Sequence, residues 1–354
     1  MSSIRRIAAA VGAAGAAAGL ALAPATQALA SPRPSFINQF SHVSTIAKTG
    51  GTPHGVTVIS HSTGRLTAGN VLVSNSSGAT GNNIVEISPR GQRTLFASIP
   101  GKLPGACPGG VQLSAALTIL PGGWVIAGSD PANGHNGCLI VIGPQGHVRE
   151  TFAGNGIDGP WGSTSVSFVS GRGWVADLFV STTLNGTWAG RGSVVNRGAV
   201  ERLQIGIPGN TLPQILNVVT VAAGLAEQVK GGHVFGPAGL GLSDSYTLYI
   251  ADSDTGQVSA VPDAPFRKTD NAGPGTLLTG GGALSVPLGV AIAPTNGNVL
   301  TVNAGNGKIV DTTPFSDQIA TRELGGALSG LAVAPRGDGV YFTDAAAGTL
   351  RLLH

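Results

Sequence analysis

The sequence has little charge and almost no sulfur. Charged residues make up 10% of its 354 positions, and it contains two cysteines and one methionine. A hydrophobic fraction of 42% is still large enough to build a packed core, which excludes a disordered chain. HExxH and Gly-x-Ser-x-Gly patterns are both absent, so the zinc-protease and serine-hydrolase signatures are missing. The 56 glycines and 22 prolines, interleaved with short apolar runs, predict an all-β chain with many turns.

A basic cluster is also missing. The chain has 20 Lys and Arg residues and 17 Asp and Glu residues. Two of the basic residues, Arg5 and Arg6, belong to a predicted signal peptide, residues 1–30. An apolar run, Ile7–Leu22, and the small-x-small sequence Ala28–Ala30 predict cleavage after Ala30. Without the two arginines the remaining 18 basic residues nearly balance the acids. We therefore expect no binding to nucleic acid or to anionic membranes.

No apolar run of about 18 residues, the length that a membrane span needs, follows the signal. Residues 31–354 are therefore expected to be exported to the periplasm or medium as one monomeric domain. The paired arginines leave general secretion and twin-arginine export both open. In an exported chain, Cys107 and Cys138 are predicted to form a disulfide, the alternative being two buried thiols.

Six segments of the chain repeat one pattern, in which short apolar runs are separated by polar turns. Their middle strands align at Asn75, Gly128, Thr182, Asp252, Asn303 and Asp344. The separations are 53, 54, 70, 51 and 41 residues, and a four-stranded blade needs roughly 40–50. The pattern predicts a six-bladed β-propeller. The 70-residue step is attributed to an extra stretch, Ile205–His233, in which Val221–Lys230 is predicted to be helical.

The last repeat supplies three strands and then the chain stops at His354. A sheet left open there would expose an edge that invites aggregation. The segment Phe40–Ala47 precedes the first repeat and belongs to none of them. We therefore predict that this N-terminal strand joins the last blade and closes the ring.

The last three repeats carry a recognisable motif. A Gly-Leu or Gly-Val pair leads into a strand that ends in Asp or Asn, as in Gly239-Leu240, Gly289-Val290 and Gly330-Leu331. This pattern resembles the NHL-repeat propellers, and more distantly the gluconolactonase/regucalcin-like and streptogramin-lyase-like proteins. The resemblance implies a propeller fold and, as one alternative, a metal-dependent lactonase or lyase acting at the axial mouth. Lactonase-type relatives use a Glu near the start of the propeller, whereas Pro53-His54 stands there in this chain.

The polar residues at the aligned position, together with His54, have two possible roles. The candidate axial site consists of His54, Asn75, Asp252, Asn303 and Asp344. Their oxygens suit one divalent cation such as Ca²⁺, and the histidine suits acid-base chemistry or metal binding. Alternatively each carboxylate or amide caps its own turn by binding backbone N–H groups, and the histidine lies in a surface turn.

Two functions remain open at this point. One is a non-catalytic binding or scaffold protein whose ligand is an unknown protein, glycan or small molecule. Its binding face would be built from the long loops predicted at Pro100–Gly110, Thr151–Ser163 and Ile205–His233. The other is the metal-dependent lactonase or lyase. Trp161 and Trp188 are predicted to lie in loops, where they stack on a sugar or pack against a neighbouring blade.

Overall fold

The computed structural model describes residues 34–76, 81–131, 136–171, 173–209, 211–271 and 273–354. The predicted signal peptide, residues 1–30, lies outside the described residues, so it stays a prediction. Within the described residues the strands form six antiparallel sheets, which confirms the predicted six-bladed β-propeller.

The strands are numbered along the chain and grouped by blade. Strand β1 is Val43–Lys48. Blade 1 contains β2 (Thr52–Val58), β3 (Val71–Ser76), β4 (Asn83–Ile87) and β5 (Arg93–Ser98). Blade 2 contains β6 (Leu113–Leu120), β7 (Trp124–Ser129), β8 (Cys138–Ile142) and β9 (Val148–Phe152). Blade 3 contains β10 (Pro160–Ser170), β11 (Gly173–Thr182), β12 (Val195–Ile207), β13 (Gln214–Lys230) and β14 (His233–Phe235).

The last three blades are more uniform in strand length. Blade 4 contains β15 (Pro237–Leu242), β16 (Leu248–Asp252), β17 (Gln257–Val261) and β18 (Thr276–Gly280). Blade 5 contains β19 (Pro287–Ile292), β20 (Val299–Asn303), β21 (Lys308–Thr312) and β22 (Gln318–Glu323). Blade 6 contains β23 (Leu328–Val333), β24 (Val340–Asp344), β25 (Thr349–Leu353) and β1. Short 3-10 helices lie at Ile37–Gln39, Pro121–Gly123, Thr187–Gly190, Ala264–Phe266 and Pro335–Gly337. None of the helices in the described part of the chain has the length or apolarity to cross a membrane.

The first strand of each repeat lies innermost in its blade. Strands β2, β6, β10, β15, β19 and β23 contact one another in turn and form a closed ring around the axis. We call the face where these six strands begin the upper face and the face where they end the lower face. Because neighbouring strands are antiparallel, the second strand of every blade ends at the upper face. The loops that join consecutive blades lie at that face as well.

Glycines near the start of the inner strands allow the blades to approach the axis closely. A Cβ atom at Gly239 would overlap the carbonyl oxygen of Leu288, and one at Gly289 would overlap that of Ser329. Both glycines are the first residue of the Gly-Leu or Gly-Val pair in the motif. The motif is therefore explained by backbone packing between adjacent inner strands.

The N-terminal strand closes the ring as predicted. Strand β1 pairs antiparallel with β25 from Val43 opposite Leu353 to Lys48 opposite Thr349. Blade 6 thereby gains its fourth strand, and its open edge is covered.

A buried carboxylate anchors the segment that leads into β1. Asp311 Oδ2 accepts hydrogen bonds from the N–H groups of Phe36 (2.7 Å) and Ile37 (3.3 Å) and from the hydroxyl of Ser35 (2.9 Å). The side chains of Phe36 and Ile37 are buried in the core between blades 5 and 6. This anchor fixes the position from which β1 reaches the last blade.

Blade 3 differs from the prediction. The stretch Ile205–His233 is not a loop, and Val221–Lys230 is not helical, because it belongs to the 17-residue strand β13. Its alanines, glutamate and lysine favour a helix locally, but pairing along β12 overrides that preference. The additional length is shared by all four long strands of the blade, which have 10 to 17 residues against five or six in blade 4.

The predicted disulfide is confirmed. Cys107 and Cys138 are bonded, with Cα atoms 5.0 Å apart. Cys107 lies in the upper-face loop that joins blade 1 to blade 2, and Cys138 begins β8. The bond therefore fastens the predicted long loop Pro100–Gly110 to the body of blade 2.

Candidate functional site

Four of the five predicted site residues occupy the same place in four different blades. Asn75, Asp252, Asn303 and Asp344 are each the last or last but one residue of a second strand at the upper face, opposite the first or second residue of the inner strand. All four are at most 5% exposed. Each therefore lies inside its own blade, at one level around the axis.

The two aspartates bind the turn that follows their own strand. Asp252 Oδ1 accepts hydrogen bonds from the N–H groups of Asp254 (2.9 Å) and Thr255 (3.1 Å). Asp344 Oδ1 accepts from the N–H groups of Ala327 (3.3 Å) and Ala347 (3.1 Å), and its Oδ2 lies 3.5 Å from Arg351. Burial raises the pKa of Asp252, partly offset by the two backbone hydrogen bonds. These carboxylates thus stabilise local turns.

The two asparagines use their amide nitrogens in a similar way. Asn75 Nδ2 donates to Asn83 Oδ1 (2.9 Å), and Asn303 Nδ2 donates to the carbonyl of Ala283 (2.8 Å) and to Asn306 Oδ1 (3.1 Å). The Oδ1 atoms of Asn75 and Asn303 are buried and have no hydrogen-bond partner among the described residues. These two amide oxygens belong to blades 1 and 5.

His54 lies at the start of the inner strand of blade 1, beside the axis. Its Nε2 is 2.7 Å from Ser76 Oγ, and its ring centroid is 6.0 Å from that of Trp161. Burial lowers the pKa of His54 to about 4, so the ring is neutral at physiological pH. In the part of the chain that the structure describes, no group of three or more His, Cys, Asp and Glu residues is arranged to hold a metal ion.

Sequence reasoning missed a set of hydroxyl groups that link adjacent blades. Ser74 Oγ accepts a hydrogen bond from the N–H of Gly55 (2.9 Å) and donates to the carbonyl of Ser114 in the next blade (2.9 Å). Ser181 in blade 3 and Thr343 in blade 6 make the same pair of bonds. Each hydroxyl residue stands one position before the aligned residue of its repeat. An alignment of the repeats could therefore have revealed these residues.

Buried acids around blades 2 and 3 were missed as well. Burial raises the pKa of Asp130, Glu201 and Glu227 to about 7 in each case. Hydrogen bonds from Thr183 to Asp130 and from Thr220 to Glu201 offset part of this effect. These side chains can change protonation near neutral pH, so they couple the stability of the fold to pH.

The axial channel is wider toward the lower face than between the glycines of the inner strands. It has a volume of about 360 Å³ in its lower part and about 40 Å³ between the glycines of the inner strands. The lining includes a pair of apolar side chains from each of five blades: Val56 and Val58, Leu117 and Ile119, Leu240 and Leu242, Val290 and Ile292, Leu331 and Val333. Blade 3 instead contributes Ser163 and Ser165. The wall of the lower channel exposes more polar than apolar surface, because the inner strands present their backbone edges to the axis.

Two further cavities continue the channel outward along blade 3. The inner cavity, about 450 Å³, is lined by Ser60, His61, Thr63, Gly122, Ser167 and Trp174, and it shares Ser60, Ile119 and Ser165 with the channel. The outer cavity, also about 450 Å³, is lined by Gly122, Trp124, Gln145, His147, Arg149 and Leu212. We call these two cavities and the lower channel opening the lower-face groove. Volumes of this size suit small ligands or part of a chain.

The predicted tryptophan positions are partly wrong. Trp161 belongs to strand β10 and lies beside His54, whereas Trp188 lies in the 3-10 helix Thr187–Gly190. Trp188 is 39% exposed and Trp174, at the start of β11, is 42% exposed. Of these two, Trp174 lines the groove.

Comparison with known proteins gives a likeness of fold. No protein-family model and no curated protein matches the chain. Regucalcin from Agrobacterium tumefaciens, a calcium-binding protein, is similar over 89% of this chain and 93% of that one, with 15% identity and a TM-score of 0.56. A gluconolactonase from Xanthomonas campestris is similar over 88% and 93%, with 11% identity and a TM-score of 0.53.

A third solved structure widens the range of activities found on this fold. The aldose sugar dehydrogenase from Streptomyces coelicolor, in its PQQ-bound form, is similar over 88% of this chain and 97% of that one, with 17% identity and a TM-score of 0.53. Proteins with different activities thus share the architecture, so the fold does not determine the activity. The resemblance that the repeats predicted is confirmed at the level of the fold: the chain shares the propeller fold of the gluconolactonase and regucalcin structures.

Proposed function

We propose that the protein is an exported, non-catalytic binding propeller that takes its ligand in the lower-face groove. The observation that carries the proposal is the groove itself, whose cavities share lining residues from the axial channel outward and lie among blades 1, 2 and 3. The disulfide between Cys107 and Cys138 supports export, because such bonds persist in oxidising compartments. The predicted signal peptide, residues 1–30, supports the same location.

The upper face supports this choice by contrast. Toward that face the channel holds only about 40 Å³ between the glycines of the inner strands, and the carboxylates of Asp252 and Asp344 already bind backbone N–H groups. At the lower face the groove offers more space.

The experiment is a binding screen read with two matched tryptophan variants. Lactones, monosaccharides, neutral and acidic oligosaccharides and short peptides are tested by thermal shift, and each hit is measured by calorimetry. Trp174→Ala should remove binding, whereas Trp188→Ala, which changes a similarly exposed tryptophan at the upper face, should leave it unchanged. A ligand whose binding depends on His54 and not on Trp174, or that is converted to product, would overturn the proposal.

A second candidate is a metal-assisted lactonase or lyase at the upper mouth. The fold shared with the Xanthomonas gluconolactonase and the position of His54 beside the axis favour it. Elemental analysis and a thermal-shift screen of divalent cations test it. Stoichiometric metal that is lost in His54→Ala or Asn303→Ala would support this candidate. Absence of metal and of any cation-dependent stabilisation would leave the binding function in place.

A further inference from the structure

We infer that the lower-face groove binds an acidic polysaccharide chain, with a sugar ring stacked on Trp174 and carboxylate groups held near Arg149. The inference rests on the proposed function and specifies its ligand class. It follows from the length of the groove, from its aromatic surface and from the sign of its charge.

The groove is long enough for several sugar units. Gly122 lines both the inner and the outer cavity, so the two cavities meet at the turn between β6 and β7. The groove begins at the axis beside β10, the first strand of blade 3. It extends outward to the turn between β12 and β13. That path covers two to three strand spacings, about 10–14 Å. A single sugar would fill one cavity and leave the other empty.

Blade 3 forms a tall wall along this path. The inner strands of blades 4, 5 and 6 end at Leu242, Ile292 and Val333, which line the channel at the level of Ser165. Strand β10 continues for residues 166–170, which add about 16 Å of extended chain. Ser167 of β10 and Trp174 of β11 both line the inner cavity, so side-chain contacts are available along this wall.

Trp174 provides a flat apolar surface on that wall. It pairs directly with Val169, which is 76% exposed, and both project beyond the body of the propeller. Pairing with strands on both sides fixes the backbone of Trp174 before a ligand arrives. A preformed aromatic surface of this kind loses little conformational entropy on binding. Half-buried hydroxyl groups of Thr63, Ser165 and Ser167 lie in the same cavity and can bind sugar hydroxyl groups.

The charge of the groove favours an anionic ligand. Its described lining residues include the exposed side chains of Arg149, His147 and His61 and no Asp or Glu. Among the described residues Arg149 forms no salt bridge. A guanidinium without a carboxylate partner is well suited to bind the carboxylate of a ligand in bidentate geometry. The complementary ligand is therefore a chain of sugar acids, not a neutral glucan.

The test compares hexagalacturonate with cellohexaose, a neutral chain of equal length, by calorimetry. The wild-type protein should bind the acid at least about tenfold more tightly. Trp174→Ala and Arg149→Gln should each weaken that binding about tenfold, and the effect of Arg149 should shrink at high salt. Trp188→Ala and Arg90→Gln, which change exposed residues outside the groove, should bind as the wild type does. Unfolding midpoints of all variants confirm that each one folds.

The outcomes separate the ligand class from the proposed function. If cellohexaose binds as tightly as the acid and Arg149→Gln has no effect, the acidic class is wrong while Trp174-dependent binding still supports the groove. If hexaglutamate binds as tightly with the same variant dependence, the groove recognises acidic peptides and the glycan inference is overturned. If Trp174→Ala changes the binding of no ligand that the screen finds, the groove and the proposed function fail together.

Discussion

At the upper face Asp344 accepts two backbone N–H groups of its own blade, whereas at the lower face Trp174 leaves 42% of its surface exposed. The upper-face residues recur from blade to blade, and their hydrogen bonds hold strands and turns together. The lower-face groove depends on blade 3, whose strands are about twice as long as those of blade 4. The repeated aspartates of this propeller bind backbone groups of the fold, and we propose that the irregular blade provides the surface for a ligand.

The largest effect is expected from removal of the closing strand. Deleting residues 34–48 removes β1 and the Asp311 anchor, so blade 6 exposes the edge of β25. We expect loss of cooperative thermal unfolding and the appearance of aggregates in size-exclusion chromatography. Asp311→Ala, which removes the anchor alone, should lower the unfolding midpoint without aggregation. A deletion variant that unfolds at the wild-type temperature would contradict ring closure by β1.

A smaller effect is expected from the upper-face disulfide. Replacing both Cys107 and Cys138, which are 31 positions apart, with serine releases the loop between blades 1 and 2. The free energy of unfolding should fall by about 3 kcal/mol, measured by denaturant titration. Ligand binding in the groove should be retained at temperatures where the variant is folded. Loss of binding in a folded variant would show that the upper-face disulfide affects the lower-face groove, and it would contradict the separation of the two faces.

The buried acids predict a dependence of stability on pH. Burial raises the pKa of Asp130 from 3.8 to about 7, so the folded state holds this proton more tightly than the unfolded state does. The stabilisation is present below about pH 4 and is lost as the pH rises through 7. The free energy of unfolding should therefore be lower at pH 8 than at pH 5, by on the order of 2 kcal/mol for this group. Asp130→Asn should reduce this difference. An equal slope in the variant would exclude Asp130 as its source.

The fold was largely predictable, and the groove was not. The repeated Gly-Leu and Gly-Val pairs, as in Gly239-Leu240, mark where inner strands touch, and the spacing of the six aligned middle strands sets the number of blades. Strand β13 escaped prediction because pairing with β12 overrode the helical preference of Val221–Lys230. The groove brings together segments from three blades, around His61, Arg149 and Trp174, that are far apart in sequence. No local pattern signals such a surface.

The smallest expected effect on stability is that of Trp174→Ala, the variant with the largest expected effect on ligand binding. Trp174 is exposed on the projecting wall, so Trp174→Ala should change the free energy of unfolding by less than about 0.5 kcal/mol. Denaturant titration measures this change. A large loss of stability would show that Trp174 serves packing, like the residues of the upper face.

The central claim is that the upper-face residues stabilise the fold and the lower-face groove binds the ligand. The most direct test measures both stability and ligand binding in Trp174→Ala and Asp344→Ala. Trp174→Ala should lose binding of the acidic oligosaccharide and keep its stability. Asp344→Ala should lose about 1–2 kcal/mol of stability, because two N–H groups and Arg351 lose their partner, and should bind normally when folded. The opposite pattern, with binding lost in a stable Asp344→Ala and retained in Trp174→Ala, would place the site at the upper face and contradict the claim.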